Sequence, residues 1–174
     1  SSVSGTVKGM EQHFNPAGNK VECIVIENDG EYNEVDYGPV KPMEEMTSEE
    51  ILEKIGDAGI VGMGGAGFPT RVKLSPKEPE KIDYIIANCA ECEPYITADY
   101  RRMLENTSDL VSGMRVVLSL FPNAKGIFAV EDNKRDCISK LQEAVADEPR
   151  MDVKALVTKY PQGAERQLIY AVTK

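Results

Sequence analysis

The sequence has no tryptophan, a single histidine and no initiator methionine. No apolar run approaches the roughly 20 residues that a membrane-spanning helix needs, and nothing has the layout of a signal peptide. Membrane association, if it occurs, would run through partner subunits. Basic residues are the minority: 20 Lys and Arg stand against 29 Asp and Glu, a net charge of −9, which argues against a nucleic-acid surface. A phosphate bound to such a chain must be captured by local geometry rather than by the overall field. The lone His13 reads as a surface turn residue rather than a base. Of the four cysteines, Cys89 and Cys92 form a Cys-x-x-Cys pair, but Cys23 and Cys137 lie in no pattern that completes a zinc or cluster site. Acids crowd the pair and disfavour a thiolate. The cysteines read as packing residues of a reduced, cytosolic-side protein, and no metal site is expected.

What is present suits one moderate α/β domain with a small appendage: 174 residues, 41% hydrophobic, with no repeats or low-complexity segments. The chain is organised around Gly62-Met63-Gly64-Gly65-Ala66-Gly67-Phe68-Pro69-Thr70-Arg71-Val72-Lys73. Four glycines in six residues leave the backbone little Cβ cover and let a ligand reach its amides. Successive N–H groups around one hollow make an anion nest, and Lys73 adds a charge at its rim. Gly62, Gly64 and Gly67 fit G-x-G-x-x-G, yet the setting is not that of a dinucleotide fingerprint. The preceding segment reads as a helix, with a Thr47/Glu50 capping box, Ile51, Leu52 and Ile55 on one face, and Gly56 and Gly59 at its end. Pro69 stands where the usual following helix would run. A phosphate loop of unorthodox setting is the better reading, with a plain structural glycine loop as the alternative.

Ile85-Ile86-Ala87-Asn88-Cys89-Ala90-Glu91-Cys92-Glu93-Pro94 is the second motif, a buried-looking strand ending in Asn88 and two carboxylates. Polar groups at the carboxyl ends of parallel strands are where open α/β sheets bind ligands. A solvated polar loop is the equal alternative. Ahead of these motifs, residues 1–40 read as short strands at Ser4–Met10 and Val21–Glu27, with Gly38-Pro39-Val40-Lys41-Pro42 as linker. Beyond them, the pattern predicts helices over 99–105, 109–121, 134–146 and from 164, with strands over 126–130 and within 151–160. That alternation means a parallel sheet with right-handed crossovers. Its strand ends deliver residues 88–94, Glu131-Asp132-Asn133 and Tyr160-Pro161-Gln162-Gly163 to one edge. Glu131 and Asp132 also suit a helix cap.

Together, Gly64-Gly65-Ala66-Gly67-Phe68-Pro69-Thr70 with Lys73, and Asn88 to Pro94, resemble the flavin- and NADH-binding subunit of respiratory complex I. The match is closer to the RnfC family of ion-translocating ferredoxin:NAD⁺ oxidoreductases. Ala90-Glu91-Cys92-Glu93-Pro94-Tyr95, Val130-Glu131-Asp132-Asn133-Lys134 and Tyr160-Pro161-Gln162-Gly163-Ala164-Glu165 are similar to that family's signatures, and the likeness spans nearly the whole chain.

The resemblance implies a Rossmann-like FMN/NADH-binding domain over 43–174, preceded over 1–40 by the end of a lipoyl-like barrel-sandwich module. It implies FMN held by Gly62, Gly64, Gly65, Gly67 and Lys73, with Asn88, Glu131 and Asp132 near the flavin. NADH would approach Phe68, Glu91 and Glu93. Flavin carries the hydride chemistry, so no catalytic side chain is expected. The partners implied are the other subunits of a membrane complex, NAD(H) and, indirectly, ferredoxin, with the protein peripheral on the cytoplasmic face. This chain departs from the complex I pattern at Met63 and Ala90, so neither is given a role. The resemblance further implies that the chain begins inside a longer protein and stops before an SLBB domain and two 4Fe-4S clusters, so weak FMN binding is expected. The alternatives are a non-catalytic scaffold of the same fold, as in the sodium-pumping NADH:quinone reductase, and a soluble flavin electron carrier.

Overall fold

The computed structural model describes residues 2–15, 17–36, 38–39, 41–62 and 67–174. The chain divides into two units, Ser1–Lys41 and Pro42–Lys174. In the first, β1 (Gly5–Phe14) and β2 (Lys20–Asn28) pair antiparallel, with an irregularity between Val7 and Gly9. Both strands run past the predicted spans. Asn15 shapes the turn between them, its side-chain oxygen accepting from the amides of Ala17 and Asn19 at 3.1 and 2.9 Å. The register places Val7 opposite Ile26 and Met10 opposite Ile24. A two-stranded ribbon cannot bury such a face by itself.

The second unit begins with α1 (Ser48–Asp57). Thr47 Oγ1 accepts from the Glu50 amide, and the Glu50 carboxylate accepts from the Thr47 amide at 2.7 Å, the reciprocal capping box expected. Gly59, at φ +67°, closes the other end: its amide donates to the Gly56 carbonyl, and the Ile60 amide donates to Ile55. Those two bonds form a Schellman motif, which needs the left-handed conformation that glycine adopts freely. The chain then doubles back, pairing Val61 with Pro69, into the one-turn α2 (Thr70–Lys73). The sequence reading missed this turn because four residues carry no periodicity.

β3 (Tyr84–Cys89), β4 (Lys125–Glu131) and β5 (Met151–Leu156) form a parallel sheet in the order β3-β4-β5. α3 (Ala98–Glu105) and α4 (Thr107–Ser119) cross from β3 to β4, and α5 (Arg135–Ala144) crosses from β4 to β5. α6 (Glu165–Thr173) follows β5. Period-two alternation splits β4 between two cores. Phe128 and Val130 join Met103, Val111, Met114, Leu118, Cys137 and Leu141 beneath α3, α4 and α5. Ile127 and Ala129 join Leu156, Leu168 and Val172 beneath α6. Lys154 fastens the end of α6, its Nζ donating to the Val172 carbonyl at 2.6 Å. With layers on both faces, all three strands present their carboxyl ends at one edge, where the chain must turn and where polar side chains gather.

Candidate functional site

The edge is built by braces between loops far apart in sequence. Asn88, near the end of β3, donates from Nδ2 to the Gly163 carbonyl at 2.8 Å, and its Oδ1 accepts from the Ala90 amide at 3.3 Å. Gly163 can come this close because it lacks a side chain: a Cβ there would lie 2.7 Å from the Ala90 carbonyl oxygen.

Glu91 is buried, and its carboxylate accepts from the amides of Asp99 at 2.8 Å and Tyr100 at 3.2 Å. Those are first-turn N–H groups of α3, where a helix leaves donors unpaired and favours negative charge. The N-cap residue Thr97 makes no side-chain bond, so Glu91 caps the helix from outside it. Glu93, two residues on, is exposed at the surface of the same loop.

Glu131 ends β4 with no exposed surface. Its Oε1 accepts from the Lys159 amide at 3.3 Å, and its Oε2 accepts from Lys134 Nζ at 3.3 Å. The buried Lys134 ammonium donates further to the Glu91 carbonyl at 3.2 Å and to Asn133 Oδ1 at 3.4 Å. Asp132 remains exposed. Its Oδ1 accepts from the Thr158 hydroxyl at 2.6 Å and the Thr158 amide at 3.1 Å, and these two donors hold its carboxyl below the usual range. Neither acid caps α5, whose N-cap is Lys134. Glu131 and Asp132 thus tie β4 to the segment after β5.

Nearby, the Tyr100 hydroxyl donates to Asp136 Oδ2 at 2.6 Å. The bond lowers the Asp136 carboxyl's pKa and raises that of the Tyr100 phenol. Beneath them, burial and then the Asp136 charge push the Cys137 thiol up to about 11. Burial, and after it Asp99, push Cys89 up to about 12. Both thiols are protonated at neutral pH and unsuited to nucleophilic or ligand roles. Among the described residues no three His, Cys, Asp or Glu side chains converge as a metal site.

These braces frame a cleft of about 760 Å³. Residues 91–97 form one wall, residues 133–136 lie across the base, and residues 158–160 form the other wall. Tyr95 stands at its surface, fully exposed and at φ +68°, a conformation that costs a non-glycine residue about 1–2 kcal/mol. Tyr160 is exposed opposite, and the side chains of Arg135 and Lys159 bring positive charge to an acidic chain.

Of the residues singled out in the sequence, the cleft gathers Glu91, Glu93 and Glu131; Asn88 and Asp132 brace its loops. Gly62, Gly67, Phe68 and Lys73 do not line it. They belong to the loop closed by the Gly62 amide donating to the Phe68 carbonyl at 2.9 Å, with Gly67 at φ +64° and Phe68 and Lys73 exposed. Gly64 and Gly65 lie outside the described residues. Sequence reasoning passed over Lys134, Arg135, Lys159 and Tyr160 as site residues. The one available signal was the Glu131/Lys134 spacing at a strand end, which places opposite charges within a single turn.

The profile of the Nuo51 FMN-binding domain matches residues 55–174, and that of the RnfC barrel sandwich hybrid domain matches residues 1–31. The RnfC protein of the Na⁺-translocating ferredoxin:NAD⁺ oxidoreductase complex of Acetobacterium woodii is 42% identical over 174 residues, covering 99% of this chain and 39% of that protein. Its counterpart in the proton-translocating complex of Clostridium ljungdahlii is also 42% identical, with 99% of this chain and 38% of that protein covered. This chain therefore spans about two fifths of the length of these relatives. Among solved structures, an NAD⁺-reducing NiFe-hydrogenase in the air-oxidized state superposes with a TM-score of 0.57 at 27% identity, over 70% of this chain and 23% of that one.

Proposed function

The chain belongs to the Nuo51 FMN-binding domain family, and from that premise we propose that it is the flavin- and dinucleotide-binding part of an ion-translocating ferredoxin:NAD⁺ oxidoreductase, exchanging a hydride between NAD(H) and FMN. The observation that carries the reading is the convergence of all three parallel strand ends on one cleft. Open α/β sheets bind ligands at such an edge. The residues suit the cofactor: the cleft falls within the roughly 300–1,000 Å³ that enclose a cofactor-sized molecule. Its surface combines aromatic rings with cationic and amide donors.

FMN, when bound, supplies the hydride chemistry; the chain supplies orientation and electrostatics. Gly62, Gly64, Gly65, Gly67 and Lys73 would hold the phosphate, with backbone amides as donors and the ammonium as counter-charge. Asn88, Glu131 and Asp132 act by fixing the loops around the ring system. Glu91 holds the β3–α3 loop in place, leaving Glu93 and the exposed Phe68 to meet the nicotinamide dinucleotide. Tyr95 and Tyr160 offer faces for stacking. No proton need be moved by a side chain. No helix among the described residues is long and apolar enough to cross a membrane. Attachment at the cytoplasmic face through other subunits, and electron exchange with ferredoxin through clusters elsewhere in the complex, complete the reading.

The scaffold reading gains from one observation: Asn88, Glu91 and Glu131 all spend their polar groups on internal bonds. An FMN titration of the intact protein, followed by flavin fluorescence, separates the two. Saturable binding that Lys73→Ala weakens at least tenfold supports the flavin site. Absence of binding leaves the scaffold.

A further inference from the structure

We propose that Lys134 is the positioning residue of this cleft, a buried cation that sets the spacing of its two walls for the dinucleotide; the proposal rests on the functional reading above. An ammonium has three donors and no acceptor. At Lys134 three acceptors lie within reach: the Glu91 carbonyl at 3.2 Å, Glu131 Oε2 at 3.3 Å and Asn133 Oδ1 at 3.4 Å. The first belongs to the wall after β3. The second belongs to the end of β4, and its carboxylate reaches on to the Lys159 amide in the wall after β5. Through Glu91 the tie continues into α3, because that residue's carboxylate holds the amides of Asp99 and Tyr100. One side chain thus joins three segments that the sequence keeps apart.

Stability is a poor reason for such an arrangement. Removing two charges from water costs about as much as their attraction returns, and a well-packed apolar pair of similar volume serves the fold equally or better. What an apolar pair lacks is direction. Hydrogen bonds of set length and angle hold two walls at one separation, and a bound molecule gains affinity from walls that need no rearrangement.

The test compares Lys134→Met with the double variant Glu131→Gln/Lys134→Met in the intact protein. Lys134→Met strands a buried carboxylate and lowers the melting temperature. The double variant removes both charges, keeps an oxygen at position 131 for the Lys159 amide, and recovers that melting temperature. Positioning predicts that the double variant, though stable, exchanges the Asp99 and Tyr100 amide hydrogens at least tenfold faster and binds NADH at least tenfold more weakly by fluorescence titration. Wild-type exchange in the stable double variant overturns the clamp. Fast exchange with wild-type affinity overturns the positioning role. If the wild-type protein binds neither NADH nor FMN, the functional reading fails and takes the affinity claim with it; the exchange rates still decide whether Lys134 ties the walls.

Discussion

The β1–β2 hairpin and the central strand β4 are written in similar letters and meet opposite fates. Met10 and Phe14 are 55% and 70% exposed, whereas Phe128 is 1% exposed and Ala129 and Val130 are wholly buried. Local pattern is sufficient to make a strand in both places. Burial depends on what the chain brings to each face, and only β4 has helices on both. The same contrast holds for charge. Glu27 and Lys8 on the hairpin form an exposed ion pair, while Glu131 and Lys134 form one beneath the cleft. Surface pairs contribute about 0–1 kcal/mol, and breaking a buried pair from one side costs about 3–5 kcal/mol.

The largest expected effect follows from the apolar half of this comparison. Phe128→Ala should destabilise the second unit by about 3–5 kcal/mol in urea melts. Phe14→Ala should shift stability by no more than about 0.5 kcal/mol. Equal effects would break the contrast. A second comparison sets Gly163 against Gly113. A Cβ at Gly163 meets the Ala90 carbonyl, so Gly163→Ala should cost about 1–3 kcal/mol. At Gly113, inside α4, nothing lies within 4 Å of an added Cβ, and Gly113→Ala should stabilise by about 1 kcal/mol. Next in size, Glu91→Ala strips two α3 amides of their acceptor and should cost about 1–2 kcal/mol, with loss of helical signal confined to that segment.

The smallest effect concerns pH. Asp132 has a folded pKa below its unfolded value of about 3.9, so its contribution is complete above that value and is lost as pH falls through the folded pKa. Thr158→Val removes the hydroxyl that is the main cause. The acid limb of stability against pH, below about pH 4, should then become shallower, while the melting temperature near neutrality changes little. An unchanged acid limb would mean the Thr158 bond has no part in it.

Much of the fold was legible in the residues. Thr47 and Glu50 announced the start of α1 and Gly59 its end, since capping is a local contract between neighbours. The strands within 84–89, 125–131 and 151–156 followed from short apolar runs spaced by amphipathic helices, and that spacing fixed the convergence of their ends. Side-chain destinations were less legible. Glu91 and Glu93 look equivalent in the sequence, two carboxylates flanking Cys92. Only the packing of α3 decides that the first is buried against helix amides and the second faces water. Lys134 was hidden for the same reason: its acceptors lie up to 43 residues away. One-turn α2 left no periodic trace.

The central claim is that the strand-end cleft, together with the glycine loop, receives the flavin and the dinucleotide. Amide hydrogen exchange of the intact protein, with and without saturating FMN, tests it most directly. The account predicts new protection in residues 62–73, 91–97 and 158–160, with β1 and β2 unchanged. FMN bound with protection elsewhere, and none at these segments, would contradict it.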